Sequence, residues 1–289
     1  KGEVICAKVE LKGRSTQSLL NEYLPQLINE IPFQKKMRWE NKTRPFARPL
    51  HWVVALFDGN ALEFEFDGIV SGMVSRGHRF LNPEKFKIKS LESYLDECKK
   101  HSLIVDPEIR KKSILEQVQQ LAKQAGGCIK EDEDLVNLVN YLVEYPVAIK
   151  GDFDSRFLEL PQELLVITMK SHQKYFPIWD KKEKLLPCFI TISNMPATDE
   201  NEIQKGNERV LRARLEDARF FYDEDRKKSL EDFVESLKGV VFQKKLGTVY
   251  EKVGRITALA GTLTSQICPK KETQVRRAAR LSKADLVSQ

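Results

Sequence analysis

Two periods of apolar spacing run along this chain, and the point where one gives way to the other divides it. Ile5, Ala7, Val9 and Leu11 alternate with polar residues, which predicts a strand over 4–11. Leu20, Leu24, Leu27 and Ile31 fall at helical spacing and predict a helix over 15–31. Leu50–Phe57 reads as a buried strand. Asp58-Gly59-Asn60 then turns the chain into Leu62, Phe64 and Phe66, which alternate with Glu63, Glu65 and Asp67, so a hairpin with one wet face is expected. Ser90 offers a capping hydroxyl ahead of Leu91, Tyr94, Leu95 and Cys98. Asp106-Pro107 is a stronger helix start, with Ile114, Val118, Leu121 and Ala125 behind it and Gly126-Gly127 as the stop. A helix over 133–143, a strand over Pro146–Lys150 and a helix from Pro161 through Met169 follow. Two strands, Tyr175–Trp179 and Leu185–Ser193, are joined by the charged turn Asp180–Lys184.

After residue 200 the helical period takes over. Leu211, Leu215, Ala218 and Tyr222 form the apolar stripe of a helix over 207–222. Ser229 and Asp232 have capping-box spacing ahead of Leu230, Phe233, Val234 and Leu237. Val249, Val253, Ile256, Ala260, Leu263 and Ile267 make one long stripe. The fold class is therefore α+β: a mixed α/β domain over 1–200 and a mostly helical segment over 201–289.

Composition narrows the function classes. Hydrophobic residues at 41% against 31% charged suit a globular protein, and no apolar run approaches the ~20 residues that cross a bilayer, so no membrane partner is expected. Cys6, Cys98, Cys128, Cys188 and Cys268 stand singly, which fits reduced thiols and a cytoplasmic location and argues against a structural zinc or a disulfide framework. The chain opens on Lys1 and stops inside a helical pattern at Leu281–Gln289, so a piece of something longer is expected. The net charge of +6 decides little, but its distribution is uneven. Residues 35–48 hold six Lys and Arg against Glu40, and residues 270–283 hold six against Glu272. Such clusters either pair with phosphates or form solvated faces.

No GxxxxGK[ST] loop, GxGxxG, GxSxG or HExxH occurs, so nucleotide binding or hydrolysis of those kinds has no support. His51, His78, His101 and His172 lie far apart in sequence, and nothing local proposes any of them as a catalytic base.

Several longer segments carry a resemblance. They are Met37-Arg38-Trp39 with Arg44-Pro45-Phe46-Ala47-Arg48-Pro49-Leu50-His51-Trp52; Ser75-Arg76-Gly77-His78-Arg79-Phe80; and Met169 through Pro177. Gly206 through Leu215 continuing to Tyr222, Val241 through Thr248, and Leu281 through Leu286 complete the set. In order and spacing the chain resembles the β subunit of the heterotetrameric bacterial glycyl-tRNA synthetase, over essentially its whole length. Departures at Cys188, Ala197 and Asn201–Lys205 fall where variation is expected. The resemblance implies tRNA(Gly), the α subunit and the remainder of the β subunit as partners. It places the aminoacylation site, with its ATP and magnesium, on the α subunit, so this chain should carry no cofactor and no catalytic residue of its own. It also implies that Leu281–Leu286 enters an HD-like domain.

Within that resemblance the candidate tRNA contacts are Arg38, Arg44, Arg48, Arg76, His78, Arg79, His172, Lys174, Arg209, Arg212 and Arg219. Arginine suits phosphate oxygens because its planar fork donates two bonds at once. Arg44-Pro45 and Arg48-Pro49 force extended backbone and so a stiff presentation, although pairing with the chain's own acids is an equal reading. Gly77 allows close backbone approach, to a ligand or in a packed turn. Tyr175 and Phe176 beside His172 and Lys174 suit either unpaired bases or a strand core. Arg212 has Glu208 and Glu216 one turn away on either side and can pair along the helix. Two other functions stay open: a hydrolytic editing module converging on His78, His172 or a carboxylate, and a pure scaffold.

Overall fold

The computed structural model describes residues 13–40, 42–196 and 200–289; the strand expected over 4–11 lies outside them. Contacts divide the chain into two units. The first takes the described residues up to Gln117 together with Asp132–Ala148 and Ile192–Pro196; the second takes Val118–Glu131, Ile149–Thr191 and the described residues after Pro196.

The first unit opens with α1 (Thr16–Glu30), whose Ser15 hydroxyl accepts from the Ser18 amide. Its inward face is Leu20, Leu24 and Ile28, while Leu27 of the expected stripe is 63% exposed. Two hairpins follow. β1 (Leu56–Phe57) pairs with β2 (Asn60–Ala61), and β3 (Glu65–Phe66) pairs with β4 (Ile69–Val70). Each turns on Asp-Gly with both residues at positive φ, 50° and 73° at Asp58-Gly59 and 51° and 81° at Asp67-Gly68. That pair of angles matches the right-handed twist of the flanking strands. Chain neighbours 53–56 split between two cores: Val53 and Ala55 join Leu62, Phe64 and Phe66, whereas Val54 and Leu56 join Phe86, Ile88 and Cys98. The buried strand expected over Leu50–Phe57 is thus corrected. Only Leu56–Phe57 of it is strand, and Trp52 and Phe57 are each 42% exposed.

β5 (Val74–Arg76) pairs with β6 (Lys85–Lys87), and α2 (Leu91–Lys100) starts at a Ser90/Ser93 capping box. α3 (Pro107–Gln124) begins where Asp106 Oδ1 accepts the Glu108 and Ile109 amides, and α4 (Glu133–Asn140) is capped by Asp132. Arg110, only 8% exposed, donates Nε to the Asn140 carbonyl (2.8 Å) and Nη1 to the Ile104 carbonyl. The guanidinium thereby ties the start of α3 to the end of α4 through carbonyls alone, since no carboxylate pairs with it among the described residues.

The second unit is built on the three-stranded sheet β7 (Val147–Asp152), β8 (Phe176–Trp179) and β9 (Leu185–Ser193), in the order β7-β9-β8, and holds all of it but Val147, Ala148, Ile192 and Ser193. Between β7 and β8, α5 (Gln162–Ile167) widens into a π-turn over Thr168–Gln173 that ends on Lys174 at φ 61°. α6 (Glu200–Asp225) exceeds the expected 207–222 at both ends. Its Leu211 and Leu215 are fully buried among Phe157, Leu165, Met169 and Phe189. α7 (Leu230–Ser236) starts at the expected Ser229/Asp232 box. A small hairpin of β10 (Val241–Gln243) and β11 (Gly247–Thr248) leads into α8 (Val249–Ile267), with α9 (Glu272–Leu281) after it. α8 buries Val249, Val253, Gly261 and Thr264 but leaves Leu263 57% and Ile267 80% exposed, so the long stripe divides between two faces. The mixture of short sheets and helices is α+β.

Candidate nucleic-acid interface

In the first unit the loop 37–51 is shaped before its arginines do anything. Met37 and Phe46 exchange backbone bonds of 3.2 and 3.1 Å, and the Trp39 indole N–H donates to the Phe46 carbonyl. From the second hairpin turn Asp67 reaches across: its carboxylate accepts the Thr43 hydroxyl at 2.8 Å and the Thr43 and Arg44 amides, and Lys42 Nζ donates to its carbonyl. Partial desolvation opposes ionisation, yet the bonds from Thr43 and Arg44 and the Lys42 charge hold the Asp67 carboxyl below its ordinary value. The acid that reaches this loop from the second hairpin is therefore already committed to backbone and hydroxyl donors. Arg38, Arg44 and Arg48 are exposed and have no carboxylate partner among the described residues; Arg44 rests over the Phe66 ring at 5.2 Å. Arg44 and Arg48 line one hollow with His51. His51 borders a neighbouring hollow of about 450 Å³ with Trp52, Arg76 and Arg79, so four of the candidate arginines share one surface.

The 76–80 turn explains its own sequence. A Cβ on Gly77 would lie 2.1 Å from the Asn82 carbonyl oxygen and 2.7 Å from the His101 Cβ, so the glycine answers to packing. His78 is 1% exposed. Its Nδ1 accepts the Phe80 and Leu81 amides (3.3 and 3.2 Å), which fixes the proton on Nε2, where it donates to the Asn194 carbonyl at 3.0 Å. Every polar atom of that ring is used. Of the residues singled out in the sequence, His78 shapes the turn from inside while Arg76 and Arg79 stand outside, over Trp52 and Phe80 respectively at 5.7 Å. Phe80 is 69% exposed. Exposed Trp52 and Phe80 beside unpaired arginines are what sequence reading missed, because both look like core residues next to strands.

In the second unit the candidates separate. Arg209 and Arg212 are exposed and without ion partners among the described residues. The i,i+4 pairs expected around Arg212 do not form: Glu216 pairs with Arg156, and Glu208 accepts the Asp152 amide at 2.9 Å. Arg219 is tied down, donating to Glu159 at 2.9 Å and to the Arg156 carbonyl. His172 is exposed with no hydrogen-bond partner among the described residues and borders a hollow with Arg214 and Asp217; Lys174 Nζ folds back to the Ser171 carbonyl. Since His78 is walled in and His172 is unoriented, nothing supports the editing-hydrolase alternative.

Tyr175 and Phe176 are core, at 3% and 1% exposure. Tyr175 stacks on Phe189 (4.5 Å) and donates to Asn207 Oδ1 at 2.7 Å. Burial pushes the Tyr175 hydroxyl up to about 12. Its folded value lies above an unfolded value of ~10, so its share of stability is complete below pH ~10 and is lost as pH rises from there through 12. Tyr175→Phe is expected to melt earlier at neutral pH by the equivalent of about 1 kcal/mol. It should also show a shallower fall in Tm on going to pH 11, which a pH series of thermal melts checks.

The chain belongs to the family described as glycyl-tRNA synthetase beta subunit, whose sequence profile matches residues 1–289. It is 52% identical over 288 residues to the glycine–tRNA ligase beta subunit of Trichlorobacter lovleyi, and 51% over 288 residues to that of Geobacter sulfurreducens. Against that of Syntrophus aciditrophicus it is 49% identical over 289 residues. Each match covers the whole of this chain and 42% of the relative, so the chain spans about two fifths of the length of these proteins.

Proposed function

We propose that this chain is the part of a glycine–tRNA ligase β subunit that grips tRNA(Gly) and helps hold the enzyme together in the cytoplasm. Its partners are the α subunit, where ATP and magnesium serve aminoacylation, and the remainder of the β chain, which its last helices enter as an HD-like domain. The observation that carries the tRNA reading is the set of exposed arginines, Arg38, Arg44, Arg48, Arg76 and Arg79, that have no carboxylate partner among the described residues. A scaffold has no use for unpaired, preorganised guanidinium groups, whereas a phosphate backbone does. Arg209 and Arg212 are a further set of the same kind on α6.

Charge reversal separates contact from support. Arg44→Glu, Arg48→Glu and Arg212→Glu are each expected to weaken tRNA binding with melting unchanged, and to flatten the salt dependence by about one unit of slope. Arg219→Glu is expected to lower the melting temperature instead, because it places a third acid beside Glu159 and Asp223. Equal tRNA affinity in all four variants, measured across salt, would overturn the assignment.

A further inference from the structure

Trp52 stands at the border of hollows in the first unit. The largest, about 820 Å³, is walled by Trp52, Leu56, Ile88 and Tyr94, with Asp58 and Ser75 supplying polar atoms. That volume lies in the ~300–1,000 Å³ range of sites that enclose small organic groups. The Ser75 hydroxyl has no hydrogen-bond partner among the described residues although the residue is 8% exposed, and the amino end of α2 opens onto the same space at Ser90 and Leu91. Trp52 also lines the hollow of Arg76 and Arg79. An aromatic wall, unspent polar groups and a cationic rim thus meet at one residue.

A duplex cannot use such a place. Its bases are paired and stacked, and it offers a protein mainly phosphates and 2′-hydroxyls. A base that has left its stack presents a π-face, which indole accepts regardless of sequence, and a free edge of donors and acceptors. Building on the tRNA reading above, we infer that the hollow beside Trp52 takes one unpaired base of the RNA. The base stacks on the indole, its edge meets Asp58 and Ser75, and its flanking phosphates lie on Arg76 and Arg79. The Asp58 carboxylate accepts only, so it selects an edge that carries an N–H donor.

The test is tRNA affinity of the full chain with Trp52 changed. Trp52→Leu is expected to weaken binding roughly 5- to 150-fold, the effect of losing one stacked base, with the salt slope unchanged because no phosphate contact is removed. Trp52→Phe keeps a ring and should restore most of the affinity, which guards against a mere folding defect. A short single-stranded RNA should quench Trp52 fluorescence more than the same sequence as a duplex. Wild-type affinity in Trp52→Leu, equal loss in Trp52→Leu and Trp52→Phe, or equal quenching by both RNAs overturns the inference while leaving the tRNA reading standing. Absence of any tRNA binding by the unaltered chain at low salt removes that reading itself, and this inference with it.

Discussion

Gly77→Ala is expected to destabilise the first unit by at least about 3 kcal/mol and to abolish the basic surface with it. Overpacking normally destabilises by ~1–3 kcal/mol, because side chains give way. Here the new methyl meets the Asn82 carbonyl oxygen at 2.1 Å and the His101 Cβ at 2.7 Å, and the first of these is backbone. The backbone around it is fixed by the bonds Gly77 N–H to the Glu84 carbonyl, His78 N–H to the His101 carbonyl and Asn82 N–H to the His78 carbonyl, all 2.9–3.0 Å. Relief therefore requires breaking bonds that set where Arg76 and Arg79 stand. Thermal melting should show the loss, and any folded fraction should bind tRNA weakly. A variant that melts like the wild type would show that the turn is far softer than this packing implies.

Phe189→Ala is expected to remove about 3–5 kcal/mol from the second unit, the usual range for deleting a fully buried phenyl ring. Phe189 is 0% exposed, stacks on Tyr175, and covers Gly151, where a Cβ would lie 2.4 Å from the ring. The space left is framed by backbone on one side and by the sheet and α6 core on the other, so little can move in to fill it. Chemical denaturation should give a lower midpoint with an unchanged slope. Phe189→Leu, which keeps most of the volume, should recover more than half of the loss. Similar stability in Phe189→Ala and wild type would contradict the placement of this core.

What was legible in the sequence was local. Ser229 with Asp232, Asp106-Pro107 with Gly126, and Asp58-Gly59 each name a cap or turn, and each stands where expected, because a side chain two or three residues away completes the geometry. Asp67-Gly68 is the same dipeptide as Asp58-Gly59, but Asp67 continues the alternation of Glu63 and Glu65 and so reads as a strand position, not as a turn. What could not be read was the choice of distant partner. Asp67 answers to Thr43, Glu216 to Arg156 and Arg219 to Glu159, at separations that no periodicity reports. The same limit hid His78, which reads as a ligand-facing residue in a glycine turn and is in fact bonded to Asn194. It also hid Trp52, which stands in the apolar run 52–57 beside half-buried Val53 and is itself exposed.

The central claim is that the exposed arginines of the first unit meet the phosphates of tRNA. It is tested most directly by measuring tRNA(Gly) affinity of the unaltered chain across a salt series. Five guanidinium contacts at roughly 0.7–1 unit each predict a log–log slope of about −3.5 to −5 from this surface, with Arg209 and Arg212 adding to it. A slope near zero, or no binding at low salt, would contradict the claim and return these residues to a solvated surface.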